Sequence, residues 1–318
     1  MPPRSLDFGS IQGIAVGHAE TPEGTSGVTV VRFEEPAPTV VDVRGGASAT
    51  YDTASLALDA TFGRRWAIFF AGGSVYGLDA ARGVRTRILE TGGGHHAFRN
   101  PNRVVPISGA ALFDLPIRPG PIPDYLPLGY EAARRARPGP VAVGRVGAGA
   151  GATVGKYLGR HRAMRGGLGT AAARVSSWGA VGVLVVVNAV GAIRDPGTGA
   201  WVAGARGRDG RVRPPGSERS GPDLPGGTTL ALVVTDVAVD RPVLARVAAI
   251  VHSGLASVIV PFHRSTDGDV LFAATTGAAG LPRTEVPPGE VADRLGARAA
   301  ELAAAAVLGA VRAARSEA

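Results

Sequence analysis

The chain has 318 residues, of which 45% are apolar and only 5% aromatic, so it can form a sizeable core that must be largely aliphatic. It contains no cysteine, which excludes disulfides, thiolate metal sites and cysteine nucleophiles. The formal net charge is +8, but all except one of the 34 basic residues are arginines spread along the chain with few aromatics beside them, a pattern that does not indicate nucleic-acid binding.

The chain shows no sequence signal for export or for membrane insertion. Its first ten residues lack an apolar h-region, so we expect no signal peptide. The longest apolar run, near residues 181–187, stops at Asn188 and is far too short to cross a bilayer. We therefore expect a soluble, cytoplasmic protein with neither a membrane nor a nucleic-acid partner.

The first half of the chain alternates short apolar segments with turn-forming residues. Glu34-Glu35-Pro36 separates two Val-rich segments and predicts a hairpin-like connection. A Pro-rich stretch at 116–127 predicts a loop, which contains Tyr125. The predicted strands are 28–33, 39–43, 66–70, 104–113 and 141–146, and the predicted helices are 47–62, 76–90 and 129–137.

A small-residue turn, Gly72-Gly73-Ser74, lies between a predicted strand and a predicted helix. Such a turn leaves backbone N–H groups exposed at the helix N-terminus, where an oxyanion or a carbonyl can bind. Ser74 and Tyr76 are therefore candidate substrate-binding residues. The alternative is that the glycines only permit a tight turn.

Two glycine-rich segments resemble ligand motifs but lack essential parts. The segment containing His95-His96 has neither a nearby carboxylate nor a third histidine, so we expect a surface loop and no metal site. Residues 147–156 fail as a P-loop because Ala150 replaces a glycine and Tyr157 replaces Ser or Thr. They fail as a dinucleotide fingerprint because no acidic residue occurs between this segment and Asp195, so the expected ribose-binding carboxylate is missing. We expect no metal and no organic cofactor.

Two polar residues in the middle of the chain are candidates for a site. Lys156 is the only lysine, and a lysine differs from an arginine in carrying a compact charge whose pKa shifts on burial. It indicates either a site that needs an ammonium or a surface residue retained by chance. Asn188 ends the apolar strand predicted at 178–187, where it is either a turn former or a hydrogen-bond donor to a reacting carbonyl.

A long segment rich in Pro, Gly and Arg, residues 194–227, predicts an irregular, flexible linker that ends at Gly226-Gly227. The strand predicted at 229–236 follows it directly. If the bond between Gly227 and Thr228 were cut, Thr228 would carry a hydroxyl nucleophile and an α-amine with a reference pKa of about 7.7–8.0. The alternative is that Thr228 simply opens a strand after a glycine turn.

The last part of the chain contains a pair of carboxylates. Asp267 and Asp269 are two residues apart at the entry to an apolar segment, which places both on one face of an extended chain. They need a proton or a cation between them; a solvated Asp-Gly turn is the alternative. The remaining predictions are a helix at 240–255, a strand at 256–261 and a long helix at 286–311.

Six segments spread over nearly the whole chain carry a family resemblance when they are taken together. As a set they resemble the N-terminal-nucleophile amidohydrolases that include the nylon-oligomer endo-hydrolases and, more distantly, the L-aminopeptidase/D-esterases and β-aminopeptidases. The presence of threonine at 228 and of the Asp-Gly-Asp motif favours the nylon-oligomer branch, whereas Gly227 departs from the asparagine of those enzymes. The six segments are 71–81, 104–115, 147–156, 185–191, 227–235 and 261–273.

The resemblance implies a fold, a processing event and a set of site residues. The fold is a single-domain α/β structure, a four-layer α/β/β/α sandwich. Self-cleavage before Thr228 gives an α chain, residues 1–227, and a β chain, residues 228–318, and the αβ units assemble into a homo-oligomer. Thr228 matches the nucleophile, Asp267 and Asp269 match the pair that positions it, Lys156 and Asn188 match the polar residues beside it, and Tyr125 is a candidate for the family's substrate-binding tyrosine.

The expected function is a self-processing amide hydrolase. By the resemblance it cleaves internal amide bonds of ω-amino-acid oligomers of the nylon-6 type through an acyl-enzyme, without a cofactor. One alternative is an aminopeptidase acting on short or β-linked peptides, and another is an acetyltransferase of the ornithine type. A basic, non-enzymatic anion-binding protein is the third alternative.

Overall fold

The computed structural model describes residues 6–97, 99–115, 121–216, 226–280 and 286–316. The α-helices in these ranges are α1 (Ala80–Glu90), α2 (Tyr125–Arg135), α3 (Arg241–Val258) and α4 (Pro288–Ser316). The strands are β1 (Ile14–Glu20), β2 (Gly27–Val43), β3 (Ala49–Tyr51), β4 (Arg64–Ala71), β5 (His95–His96), β6 (Arg103–Val104), β7 (Ile107–Ala111), β8 (Thr153–Val154), β9 (Met164–Arg165), β10 (Gly167–Val175), β11 (Gly179–Asn188), β12 (Ala192–Arg194), β13 (Trp201–Ala203), β14 (Ala205–Arg206), β15 (Val212–Arg213), β16 (Thr228–Val237), β17 (Ile259–Val260) and β18 (Val270–Gly280).

The long strand β2 connects the two halves of a nine-stranded mixed sheet. Its first part pairs with β1 and β4, and its last part, from Thr39 to Val43, pairs with β18. One half of the sheet therefore has the order β10, β11, β16, β18, β2, and the other half continues from β2 through β4 and β7 to β3. Because one strand belongs to both halves, the halves can face each other across a shared core.

Three hydrophobic clusters fill the spaces between four layers. The inner cluster joins the two half-sheets, with Phe272 of β18 beside Phe70 of β4 at a ring-centroid distance of 6.1 Å. A second cluster packs α3 and α4 on the outside of the half-sheet that contains β11 and β16, and a third packs α1 and α2 on the outside of the other half. This confirms the expected four-layer α/β/β/α sandwich.

The central strands explain why the sequence reads as uninterrupted apolar runs. Every residue of β11 and of β16 is buried, because helices cover one face of this half-sheet and the other half-sheet covers the opposite face. A strand buried on both faces has no reason to alternate apolar and polar residues. The predicted strands at 178–187 and 229–236 are confirmed.

The two C-terminal helices follow ordinary capping and packing rules. Helix α3 begins at Asp240, whose side chain accepts a hydrogen bond from the backbone N–H of Val243, with Pro242 in the first turn. Small residues let α3 approach α4 closely, since a Cβ on Gly254 would lie 2.2 Å from the carbonyl oxygen of Ala300. The predicted helices at 240–255 and 286–311 are confirmed, and no helix in the described ranges is long and apolar enough to cross a membrane.

The hairpin predicted around Glu34-Glu35-Pro36 is wrong, because β2 runs straight through these residues. Its pairing with β4 shifts register between Arg32 and Ala37, so an irregularity in the strand accommodates the proline that cannot donate to the ladder. The backbone N–H of Glu34 donates to the carbonyl of Gly13, which keeps this part of the strand hydrogen-bonded.

Two further predictions differ from the structure. The weak helix predicted at 47–62 is wrong, because the segment forms β3 followed by a 3-10 turn, Ala54–Leu56. The buried guanidinium of Arg65 donates to the backbone carbonyls of Asp52 and Phe62 at 3.0 Å, so these carbonyls are not available to a helix. The strand predicted at 141–146 is reduced to a single bridge from Gly144, a residue with a positive φ, to Leu168.

The segment predicted to be irregular, 194–227, contains four short strands or strand ends in its described part. Strands β12 and β13 pair with each other, and β14 pairs with β15. Ala205 is buried beside Tyr157 and Val190, so small apolar residues anchor a segment whose composition is otherwise polar. Residues 217–225 lie outside the described ranges.

Candidate active site

The candidate site lies where three neighbouring strands of one half-sheet begin or end. Strand β11 ends at Asn188 and pairs in antiparallel register with the first residue of β16, Thr228. Strand β18 runs parallel to β16 on its other side, with Val270 beside Leu230. The residues just before β18 therefore meet the start of β16, and the fold brings Asn188, Thr228, Asp267 and Asp269 to one end of the sheet.

The peptide bond before Thr228 has an unusual pair of donors on its carbonyl oxygen. The hydroxyl of Thr228 donates to the carbonyl oxygen of Gly227 at 2.6 Å, and the backbone N–H of Gly268 donates to the same oxygen at 2.9 Å. Thr228 is only 3% exposed. A nucleophile-type oxygen and a rigid backbone donor thus converge on one carbonyl in a site shielded from water.

Asp269 is buried with both carboxylate oxygens occupied. Its Oδ1 accepts from the backbone N–H of Thr229 at 2.7 Å, and its Oδ2 accepts from the backbone N–H of His263 at 3.1 Å and lies 2.9 Å from the ring Nδ1 of the same histidine. Three hydrogen bonds to a charged acceptor are strong and directional. Asp269 therefore fixes the start of β16 next to Thr228.

Asp267 is also buried, but its two oxygens differ. Oδ2 accepts from the backbone N–H of Arg264 at 3.0 Å, whereas Oδ1 has no hydrogen-bond partner among the described residues. A Cβ on Gly227 would lie 2.6 Å from this Oδ1 and 2.3 Å from the backbone nitrogen of Val190. Burial, and then the charge of Asp269, raise the pKa of Asp267, so this oxygen is suited to hold a proton beside the Gly227–Thr228 bond.

The ammonium of Lys156 lies behind Asn188. It donates to the carbonyl oxygen of Asn188 at 2.6 Å, to the side-chain Oδ1 of Asn188 at 2.9 Å and to the carbonyl of Thr153 at 2.8 Å. Lys156 is buried, so the sequence alternative of a surface residue is wrong. Burial, reinforced by Arg160, lowers the pKa of Lys156 to about 7 against the opposing effect of Asp267 and other carboxylates.

Asn188 is held by contacts on both ends of its amide. Its Oδ1 accepts from Lys156 and from the backbone N–H of Thr153 at 3.0 Å, and its Nδ2 donates to the carbonyl of Phe113 at 3.0 Å. These partners assign the orientation of the amide. They leave one N–H of the Nδ2 group for a further acceptor, and the catalytic role of Asn188 stays a prediction.

A cavity of about 1040 Å³ opens next to this site. Thr153 and Lys156 line it, and so does Tyr125, whereas Thr228 and the two aspartates do not. Thr153 and Lys156 therefore stand between the cavity and the strand end that carries Thr228.

The structure does not bring the other predicted substrate-binding residues to this cavity. Ser74 and Tyr76 are not part of its lining, and the side chain of Tyr76 is exposed at the surface. The N–H groups of the small-residue turn are used internally, since Gly73 donates to Asp114 Oδ1 at 2.6 Å and Ser74 donates to the carbonyl of Leu112 at 2.9 Å. The substrate-binding role of these residues stays a prediction.

Asp114 is a site residue that the sequence analysis did not single out. Its Oδ2 accepts from the hydroxyl of Ser26 at 2.8 Å, and that hydroxyl lies 2.8 Å from the hydroxyl of Tyr125. All three side chains line the cavity. Burial raises the pKa of Asp114 to about 6 against the hydrogen bonds from Gly73 and Ser26. The available signal was a carboxylate directly after an apolar strand.

The sequence analysis assigned no role to His263 or Gly268. Gly268 lies within the Asp-Gly-Asp motif, but neither residue type in a turn indicates a hydrogen bond to Asp269 or to the carbonyl of Gly227. Within the described ranges, no three His, Asp or Glu side chains are grouped so that they could hold a metal ion.

Comparison with known proteins identifies the family. Residues 9–318 match the profile of peptidase family S58. The chain belongs to this family. It is 37% identical over 329 residues to an uncharacterized aminopeptidase of Mycobacterium tuberculosis, with 95% of this chain and 92% of the relative covered. It is 35% identical to the 6-aminohexanoate-oligomer endohydrolase of a Kocuria species, with 92% and 81% covered.

A solved structure supports the same fold. The L-aminopeptidase D-Ala-esterase/amidase of Ochrobactrum anthropi, described as a variant of the Ntn hydrolase fold, superimposes with a TM-score of 0.70 at 20% identity, covering 99% of this chain and 88% of that one. The resemblance seen in the sequence is thereby confirmed. This member of peptidase family S58 is an amide hydrolase with a mixed α/β fold.

Proposed function

We propose that this S58 peptidase cuts its own chain between Gly227 and Thr228 and then uses Thr228 as an N-terminal nucleophile on external amides. The observation that carries this proposal is the convergence of the Thr228 hydroxyl and the Gly268 N–H on the Gly227 carbonyl oxygen. Neither of these contacts is needed for a threonine that merely opens a strand.

In the first stage, Thr228 Oγ1 attacks the carbonyl carbon of Gly227 and its proton passes to Asp267 Oδ1. The Gly268 N–H stabilises the oxyanion, as fixed backbone donors do in acyl transfer generally. The C–N bond breaks, the proton moves from Asp267 to the leaving amine, and an ester links Gly227 to the threonine oxygen. Water then hydrolyses the ester and leaves chains 1–227 and 228–318.

In the second stage, the freed α-amine of Thr228 serves as the base for its own hydroxyl, since a reference pKa of about 7.7–8.0 leaves part of it unprotonated near neutral pH. Asp267 and Asp269 hold the terminus in place. The free N–H of Asn188, kept in orientation by Lys156, and the N–H of Gly268 bind the oxyanion of the substrate. Water hydrolyses the acyl-enzyme, and no cofactor takes part.

The substrate approaches from the cavity beside Lys156. The cavity wall combines apolar side chains such as Ile122 and Leu128 with charged side chains such as Lys156. The apolar part suits the methylene segments of a linear amide, and the charged part suits its polar groups. The similarity to a 6-aminohexanoate-oligomer endohydrolase favours internal amide bonds of ω-amino-acid oligomers as the substrate class.

A second candidate function is an aminopeptidase on short or β-linked peptides. The buried carboxyl of Asp114 in the cavity wall favours it, because a carboxylate there could pair with the ammonium of a substrate N-terminus. The relatives with the higher identity are also named aminopeptidases. Comparing the release of N-terminal residues with internal cleavage of 6-aminohexanoate oligomers separates the two functions.

The self-cleavage step is tested by replacing the nucleophile. Thr228→Ala removes the attacking oxygen and should leave one uncut chain on a denaturing gel, whereas the wild type shows two fragments. Thr229→Val is the matched control, because the Thr229 hydroxyl is buried without a partner in the described part of the chain and valine has the same shape. The control should be cut like the wild type. Cleavage of the Thr228→Ala chain at the same bond would refute the proposal.

A further inference from the structure

His263 has a backbone conformation that aims two of its donors at one oxygen. Its φ is 59°, in the left-handed region that non-glycine residues seldom adopt. In this conformation both the backbone N–H and the ring Nδ1 lie within 3.1 Å of Asp269 Oδ2. The other oxygen of Asp269 holds the N–H of Thr229, the residue that follows the proposed nucleophile.

We propose that His263 is a positioning residue for the proposed self-cleavage and hydrolysis, and that it acts by donating its Nδ1–H to Asp269. This inference rests on the proposed function of Thr228. His263 does not touch the reacting atoms; it fixes the carboxylate that fixes the start of β16.

The surroundings of the ring determine which nitrogen carries the proton. Asp269 Oδ2 already accepts the backbone N–H of His263, so it is an acceptor, and the ring nitrogen facing it must be the donor. The opposite nitrogen, Nε2, is buried and has no hydrogen-bond partner among the described residues. The tautomer with hydrogen on Nδ1 leaves only a lone pair there, whereas the other tautomer would bury an unpaired N–H.

Two aromatic rings hold the imidazole in this orientation. The ring of Phe262 stacks on it with a centroid distance of 3.7 Å, and the ring of His252 meets it edge-on at 4.9 Å. His252, on helix α3, is buried, and burial lowers its pKa to about 4, so it is a neutral neighbour at physiological pH. Its Nε2 lies 3.6 Å from Asp42, which is itself paired with Arg44.

The alternative is that His263 only fills space between these rings. The left-handed backbone makes a clean test possible, because asparagine, aspartate and glycine all tolerate a positive φ better than other residues do. Asparagine supplies an N–H donor near the position of Nδ1. Glycine supplies none, and aspartate has the shape of asparagine but offers an acceptor that repels Asp269.

The experiment follows cleavage of freshly synthesised full-length chain with time on denaturing gels, and then kcat and KM of the mature enzyme on a 6-aminohexanoate oligomer. Loss of a hydrogen bond to a charged group should slow both reactions by about 10- to 100-fold in His263→Gly, through kcat with little change in KM. His263→Asn should keep the rate within about threefold of the wild type. His263→Asp should be at least as slow as His263→Gly. If the glycine variant folds poorly, the difference in rate between His263→Asp and His263→Asn still tests the proposal, because these two side chains have the same shape.

His252→Phe is the control for packing, since it keeps a flat ring against His263, and it should be cut at the wild-type rate. Equal rates for the asparagine and aspartate variants, or a wild-type rate for His263→Gly, would overturn the proposal. Where either outcome occurs while the wild type is cut and Thr228→Ala is not, the proposed role of His263 is wrong and the proposed function still stands. An uncut wild-type chain, or a cut Thr228→Ala chain, overturns the proposed function and this inference with it.

Discussion

Burial and hydrogen bonding act in opposite directions on the ammonium of Lys156. Burial lowers its pKa to about 7, yet three acceptor oxygens at 2.6 to 2.9 Å match the three N–H groups of the charged form. The planar guanidinium of an arginine is larger and presents its donors in a fixed fork, so it does not fit this arrangement. The geometry explains why a chain that uses arginine everywhere else has a lysine here.

Lys156→Met should lower kcat of the mature enzyme on a 6-aminohexanoate oligomer by about 100-fold, because Asn188 loses the donor that orients its amide towards the oxyanion of the substrate. The same substitution tests the pKa of Lys156 through stability. The folded-state pKa lies below the unfolded one, so the stability of the lysine protein relative to the methionine variant is greatest above the unfolded pKa and falls as pH drops towards about 7.

This difference is measured by denaturant unfolding of the two proteins at several pH values in the uncleavable Thr228→Ala background. Between pH 10 and pH 7 the relative stability should fall by up to about 1.4 kcal/mol per pH unit, and below pH 7 it should stay constant. A constant difference over the whole range would show that the pKa of Lys156 is not lowered.

At the scale of elements, the packing of α3 on α4 supports the half-sheet that carries the site. The two helices meet through small residues, and Gly254 lies against the backbone of Ala300. Elsewhere in α4, a Cβ on Gly309 would have no described atom within 4 Å apart from its chain neighbours and the adjacent backbone of its own helix. A side chain at position 254 would therefore clash with the neighbouring helix, whereas one at position 309 would not.

Gly254→Ala should destabilise the protein by about 1–3 kcal/mol, because the new methyl group forces the helices apart, and this outweighs the gain in helix propensity. Gly309→Ala is the matched control and should stabilise the protein by up to about 1 kcal/mol, since it gains propensity without a clash. Thermal unfolding of both variants checks the prediction. A higher unfolding temperature for Gly254→Ala would contradict the close packing.

The elements that are predicted correctly are those whose pattern of burial is regular along their length. Strands β11 and β16 are buried on both faces and α4 has a regular apolar stripe, so local pattern is sufficient. Strand β2 was divided into a hairpin because its irregularity contains Pro36, and only pairing with β1, β4 and β18 shows that the chain continues. Tertiary contacts decide such cases, and they are not local information.

Only part of the candidate site could be predicted from the sequence. Local sequence features make Thr228, the aspartate pair, Lys156 and Asn188 candidates, and the family resemblance assigns their roles. The order of β11, β16 and β18 in the sheet explains why residues so far apart in the chain meet. His263 and Gly268 could not be found from sequence, because their contacts depend on a left-handed backbone and on the approach of Gly227. Asp114 could have been found as a carboxylate at a strand end.

At the scale of the whole molecule, the proposed cut divides the sheet without separating its parts. Strands β16 and β18 belong to residues 228–318, but they lie between β11 and β2, which belong to residues 1–227. Helix α4 from the second part packs on β10 and β11 of the first. The two chains should therefore stay together after cleavage, whether or not the αβ units assemble further into the expected homo-oligomer.

The measurement that tests the central claim most directly is the mass of the purified wild-type protein under native and denaturing conditions. We predict a single native species that contains residues 1–227 and 228–318 in equal amounts and that separates into these two chains on denaturation, with Thr228 as the N-terminal residue of the smaller one. An active protein that gives one mass for the unbroken 318-residue chain under denaturing conditions would contradict the account.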